Sequence, residues 1–194
     1  MKKVLFSAAA LLAFGFANAQ NRENGTIELI PQIGSASSNY YGEETLDNGT
    51  LSSVTFGVGA DYYFNDRWSL RSGLHYQTMG SKVAPGIEEK LNYLSVPVNA
   101  NWHFGSTRKW NLNFGPSFGV LMNAEANGED IKDMANGFQL GLAYGVGYKI
   151  EINQNFSILL DFQGMSGLSE VPKESDFTLK NAYSAFNVGG VIKL

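Results

Sequence analysis

The run FQLGLAYGVGYKIE, Phe138 to Glu151, places Phe138, Leu140, Leu142, Tyr144, Val146, Tyr148 and Ile150 at one parity. Gln139, Gly141, Ala143, Gly145, Gly147, Lys149 and Glu151 stand at the other. Period-two alternation belongs to a β-strand, whose successive side chains point to opposite faces. A half-buried strand of a soluble sheet sets large apolar residues against charged ones, whereas this second face is mostly glycine and alanine. The same grammar recurs along the chain and predicts eight strands, near Thr26–Ala36, Ser53–Phe64, Trp68–Met79, Leu91–Phe104, Trp110–Leu121, Phe138–Glu151, Phe156–Ser166 and Tyr183–Leu194. Gly, Asn, Asp and Ser bound them, and no amphipathic helix is predicted between them.

The connections sort by length. Asn65–Arg67, Gly105–Lys109 and Ile152–Asn155 are short. SSNYYGEETLDNGTLS, GSKVAPGIEEK, MNAEANGEDIKDMANG and GLSEVPKESDFTLKNA are long and polar, and the two kinds alternate strictly. Such alternation predicts an all-β, eight-stranded antiparallel up-and-down transmembrane β-barrel with short periplasmic turns and longer extracellular loops. An even strand number returns both termini to the periplasm, and each strand exceeds the roughly 9–11 tilted residues that cross the hydrocarbon layer.

The polarity of the two faces fixes which is wet. One parity collects Val54, Phe56, Val58, Leu70, Leu74, Val96, Leu112, Phe118, Phe162 and Val188, with Ser72 and Thr78 as its main polar lapses. The other holds Glu28, Gln32, Asp61, Arg71, His75, Asn99, Asn101, His103, Asn111, Asn113, Lys149, Glu151, Asp161, Asn187 and Lys193 among many glycines. A lipocalin-like barrel would invert this arrangement and need more charge outside. An eight-stranded lumen has room for small residues and a few paired polar ones. Phe64, Trp68, Trp102, Phe104, Trp110, Tyr148 and Phe156 cluster beside the short turns as an interfacial aromatic girdle, although aromatic residues also favour strands in general. Pro31, Pro97 and Pro116 fall inside predicted strands and cannot donate ladder bonds, so bulges are expected there.

Lys2 and Lys3, the apolar run from Val4 to Phe16 and Ala17-Asn18-Ala19 form the pattern of a secretory signal peptide. The expected division is a leader over 1–19, cut before Gln20, and a barrel domain over 20–194. The run is shorter than the roughly 20 apolar residues of a spanning helix, which weakens the rival reading of a membrane anchor. Loss of Lys2 and Lys3 moves the formal charge from −4 to −6, a balance that argues against nucleic acid as a partner. The chain has no cysteine, which removes a lipidated cysteine and a disulfide scaffold from consideration.

Candidate chemistry lies in the lumen. With Asn65-Asp66-Arg67 at the hairpin tip, paired residues have numbers summing to 132, which sets Phe64 opposite Trp68 and Asp61 opposite Arg71. Both Asp61 and Arg71 face inward, and a confined charge without a partner is costly, so a salt bridge is expected. Glu28, Lys149, Glu151, Asp161 and Lys193 extend it as a lumenal network, either a gate or a polar filling. His75 and His103 share a face but differ in depth by about 20 Å at roughly 3.3 Å per residue, so no shared metal site is expected. No Ser/His/acid device, catalytic residue or cofactor site is expected either, and the glycines of GLAYGVG lack the strand-to-helix context of a phosphate loop. The acidic loop stretches Gly128–Asp133 and Glu43–Glu44 are solvated runs or sites for cations or a protein.

Val58–Lys82, Leu91–Phe104 and Asn113–Leu121 resemble the PorT-like, or porin-like, family of small outer-membrane β-barrels, the middle one through Tyr93, Leu94, Val96 and Pro97. Asn99 and Asn101 stand where the family often continues with apolar residues and a lysine. The resemblance implies an outer-membrane barrel without implying the secretion role of the family's namesake. The alternating C-terminal strand, with Phe186, Val188, Ile192 and Leu194, resembles the segment read by outer-membrane insertion machinery. Expected partners are outer-membrane lipid, that machinery during assembly, and an envelope protein. The leading expectation is a non-enzymatic barrel with a structural or loop-mediated role. Its rivals are a secretion accessory, a narrow pore and a lipid-modifying barrel enzyme.

Overall fold

The computed structural model describes residues 22–42, 49–174 and 178–194. The expected signal peptide, its cut before Gln20 and the Glu43–Glu44 pair lie outside the described residues. The alternating segments form β1 (Ile27–Gly42), β2 (Gly49–Tyr63), β3 (Trp68–Ala84), β4 (Ile87–Phe104), β5 (Trp110–Ala126), β6 (Glu129–Asp130), β7 (Phe138–Glu151), β8 (Phe156–Gly167) and β9 (Leu179–Lys193). Neighbours in sequence pair antiparallel, β7 joins β5 directly, and β1 pairs with β9. The eight long strands therefore close into an up-and-down barrel, and β6 is a two-residue fold-back on the end of β5.

Closure sorts the two parities as expected. Phe56, Val120 and Phe186 are more than half exposed on the outer wall, whereas Asp61 and Lys149 are wholly buried inside. An outer face this apolar is covered by hydrocarbon rather than water. The polar lapses on it are satisfied locally. Ser72 Oγ donates to the Pro97 carbonyl over 2.8 Å, and Thr78 Oγ1 donates to Asn92 Oδ1 over 2.6 Å.

Two expectations are corrected. The connection read as a long loop between β3 and β4 is mostly strand, closed by the two residues Pro85 and Gly86, the latter at φ +80°. Beyond the membrane both faces of a ladder can be polar, so alternation disappears although pairing continues through Ser81↔Glu89 and Lys82↔Glu88. The prolines produce no bulges. Gaps appear instead in the β1–β9 ladder at Pro31, the β3–β4 ladder at Pro97 and the β4–β5 ladder at Pro116, with unchanged register on either side. Each proline keeps pairing on its other side, as in Pro31↔Val58, Pro97↔Ser117 and Pro116↔Leu142. Register shifts fall elsewhere, at Thr50/Phe56, Lys82/Ala84 and Asn92/Tyr93.

Candidate functional site

The lumen is organised in three levels. The first lies behind the short turns and is ionic. Asp61 and Arg71 are cross-strand partners, and Arg71 grips Asp61 with both ends of its guanidinium, Nε to Oδ1 at 2.8 Å and Nη2 to Oδ2 at 2.9 Å. Arg71 Nη1 lies 3.5 Å from Asp161 and 3.4 Å from Asn111 Oδ1. Asn101 Nδ2 donates to Asp61 over 3.3 Å. Lys149 Nζ bonds Glu28 and donates to the Tyr63 hydroxyl over 2.6 Å, while that hydroxyl donates to Glu28 Oε2 over 3.0 Å.

Sequence reasoning brought Glu28, Asp61, Arg71, Lys149 and Asp161 to this level, and it missed two members. Arg22 precedes β1 and turns inward, donating from Nε to Glu28 Oε1 over 2.6 Å with its guanidinium 5.3 Å from the centre of the Tyr63 ring. Tyr63 itself was counted with neither face. Backbone bonds from Gly25 to the Tyr63 carbonyl and from Tyr63 to the Thr26 carbonyl hold this N-terminal segment across the mouth. Glu151 makes no ion pair within this cluster among the described residues, although Arg22 feels its charge. Glu151 pairs at the rim with Lys109, 3.2 Å away, which lies just outside a strand and was likewise missed. Lys193 is half-buried beside Glu28 on the neighbouring strand, outside the ion pairs among the described residues. Glu28, Asp61 and Asp161 thus face Arg22, Arg71 and Lys149, and the layer is electrically balanced. Dry ion pairs are tolerable only with such mutual compensation.

The glycine face of β7 has a steric cause. A Cβ on Gly147 would lie 2.7 Å from both Asn111 Nδ2 and Asp161 Oδ1, and one on Gly145 would strike the Gln163 amide. Small residues on β7 therefore make room for polar side chains arriving from β5 and β8.

The second level is a cavity of about 50 Å³ reached by Arg71, His75, Gln32, Asn99, Asp161 and Gln163 among others. The third, toward the extracellular end, is a buried apolar cluster that includes Tyr40, Met79, Leu91, Tyr93, Leu121, Met165 and Tyr183. Two loops complete it. Ala135 pairs with Pro172, Asn136 Nδ2 donates to the carbonyls of Glu170 and Pro172 over 2.9 Å each, and both Ala135 and Val171 are buried in the cluster. The acidic stretch Gly128–Asp133 belongs to this folded loop, where Asp130 Oδ1 accepts from the Lys132 amide.

The histidines lie apart. His75 Nδ1 approaches Gln32 Nε2 at 3.3 Å beside the cavity. His103 Nε2 lies 2.9 Å from Ser69 Oγ, and its ring packs on Tyr63. That serine–histidine contact escaped sequence reasoning, but both residues are essentially inaccessible, and Asn101 stands between His103 and the Asp61 carboxylate, 3.4 Å from the ring nitrogen and 3.3 Å from the oxygen. Among the described residues no cluster of His, Asp and Glu forms a metal site.

On the outer wall the girdle is continuous across four strands. Ring centres of Trp68–Trp102, Trp102–Phe104, Phe104–Trp110 and Trp110–Tyr148 are 6.4, 5.0, 6.3 and 4.7 Å apart. Phe64 packs edge-on against Tyr62, and Phe156 begins β8 on the exposed face.

A family model described as outer membrane protein beta-barrel domain matches residues 6–190. Among solved structures, the outer membrane protein OprG from Pseudomonas aeruginosa aligns with a TM-score of 0.57 at 12% identity, covering 91% of this chain and 99% of that one. The solid-state NMR structure of AlkL in lipid bilayers gives 0.55 at 9%, covering 92% and 94%. Neisserial surface protein A gives 0.52 at 18%, covering 86% and 97%. These identities speak to fold alone. A search of curated proteins found no match.

Proposed function

We propose, from the premise that this chain belongs to the outer membrane protein beta-barrel domain family, that it is a non-enzymatic outer-membrane protein with a filled, non-conducting lumen. Its work is then structural, or lies in what its extracellular loops present. The observation that supports this reading is the double closure of the lumen, by the ionic level at the short-turn end and the apolar cluster at the other. Export by a leader over residues 1–19 is part of the same proposal. Planar-bilayer recording of the purified chain tests it. The expected record is silent, and it stays silent in Arg71→Ala and Asp61→Ala, because the apolar cluster still fills the other end. Steady channels from the unaltered chain would overturn the reading.

A PorT-type secretion accessory is the second reading, favoured by the strand opening at Tyr93, Leu94, Val96 and Pro97. In this barrel Tyr93 packs in the extracellular cluster and Pro97 lies at a ladder gap, which accounts for both residues structurally. Co-purification of an envelope partner that depends on the short turns would favour the accessory role.

A further inference from the structure

We propose that the outer wall carries a specific phospholipid site on β5, β7, β8 and β9, beside the turn between β4 and β5. A groove of about 610 Å³ lies there, floored by Val146 and Leu160 and walled by Trp110 and Tyr148 on one side and Phe162 and Phe186 on the other. The register explains its shape. Trp110 pairs with Tyr148 across β5 and β7, Phe162 with Phe186 across β8 and β9, and Tyr148↔Leu160 and Val146↔Phe162 join the two halves. Large rings thus stand at both sides of smaller aliphatic residues. Trp110 and Tyr148 are 4.7 Å apart between ring centres, so that wall is itself packed.

The occupant follows from location and chemistry. The groove opens onto the membrane-covered face and is far more apolar than polar, so an acyl chain fits it and a water-soluble ligand does not. Its volume falls within the roughly 300–1,000 Å³ of ligand clefts. Crossing three strand spacings of about 4.8 Å gives a track of roughly 14 Å, long enough for most of an acyl chain. One end is lined by Gly105, Ser106, Thr107 and Lys109 of the short turn, which puts two hydroxyl-bearing residues and a lysine at the level of the headgroups. Short turns face the periplasm, so the lipid comes from the phospholipid leaflet. The site rests on the membrane placement of the barrel and is independent of whether the lumen conducts.

The test uses the full chain purified from membranes in a mild detergent, with bound lipid measured by native mass spectrometry. About one phospholipid per chain is expected to persist through exchange. Leu160→Trp and Val146→Trp, which fill the groove floor, are expected to lower retention at least tenfold, while Leu70→Trp on β3 leaves it unchanged. Equal retention in all variants, loss in Leu70→Trp, absence of lipid from the unaltered chain, or retention of lipopolysaccharide instead would overturn the proposal. A second measurement needs no variant. A phospholipid with a photoreactive acyl chain, reconstituted in vesicles, is expected to label Val146–Phe162 at least fivefold more than Ser69–Leu74, and uniform labelling would refute a specific site.

Discussion

Replacing Glu28 by glutamine preserves shape and removes one charge from the centre of the ionic level. Glu28 accepts from Arg22 at 2.6 Å, from the Tyr63 hydroxyl at 3.0 Å and from Lys149. In Glu28→Gln, Lys149 keeps the neutral Tyr63 hydroxyl, and the carboxylate left to it is the more distant Asp61, 3.9 Å away and already held on two atoms by Arg71. Breaking a buried pair from one side costs about 3–5 kcal/mol, whereas an exposed pair is worth about 0–1 kcal/mol. Urea unfolding from lipid vesicles, followed by tryptophan fluorescence, separates these cases. With a denaturant dependence of about 2–3 kcal/mol per molar, the midpoint should fall by roughly 1–2 M. Adding Lys149→Met should recover much of the loss, because removing both members of a buried pair is often neutral. Arg22, which precedes β1 at the barrel mouth, can then turn toward water. A single-variant loss below about 1 kcal/mol, or a double variant no better than the single, would show that water screens the level and that its charges are not dry.

Gly147→Val should destabilise by about 1–3 kcal/mol through overpacking, since the new Cβ meets Asn111 and Asp161 at 2.7 Å; the same urea assay should show no comparable loss for Val146→Ala on the lipid face. Quenching by brominated lipids should place Trp68, Trp102 and Trp110 at one shallow depth, and strongest quenching by mid-chain bromines would contradict the girdle. Ala135→Cys with Pro172→Cys should cross-link under mild oxidation, visible as altered gel mobility, because antiparallel bridge partners lie about 4.5–5.5 Å apart between Cα atoms and the chain has no cysteine to compete. Failure to cross-link in the folded protein would show that the two loops are not joined.

The spanning part of the wall was legible because lipid and lumen impose opposite demands on alternate residues. Phe138–Glu151 is a strand with the boundaries its alternation indicates, and the sum rule of one tight turn placed Asp61 against Arg71. Outside the membrane that demand lapses, so the outer ends of β3 and β4 read as loop. Arg22 and Lys109 were invisible because they lie beside strands rather than in them, where parity assigns no face. Tyr63 was overlooked because a tyrosine near a turn suggests the interface as readily as the lumen. The extracellular cluster did leave a signal, since Met79, Leu91, Tyr93 and Leu121 are apolar residues on the otherwise polar parity.

The ion pairs differ in how much chain must be in place before they exist. Arg22–Glu28 and Asp61–Arg71 join residues 6 and 10 apart, whereas Glu28–Lys149 spans 121 positions and Arg71–Asp161 spans 90. The local pairs can form in a nascent hairpin, but Lys149 meets its carboxylate only after β7 has come round to face β1. A partly built sheet therefore carries the Lys149 ammonium and the Asp161 carboxylate without their ion partners, and both hold water along its inner surface. Joining β9 to β1 removes that water and both exposed charges in one event, so completion of the barrel is chemically distinct from every stage before it.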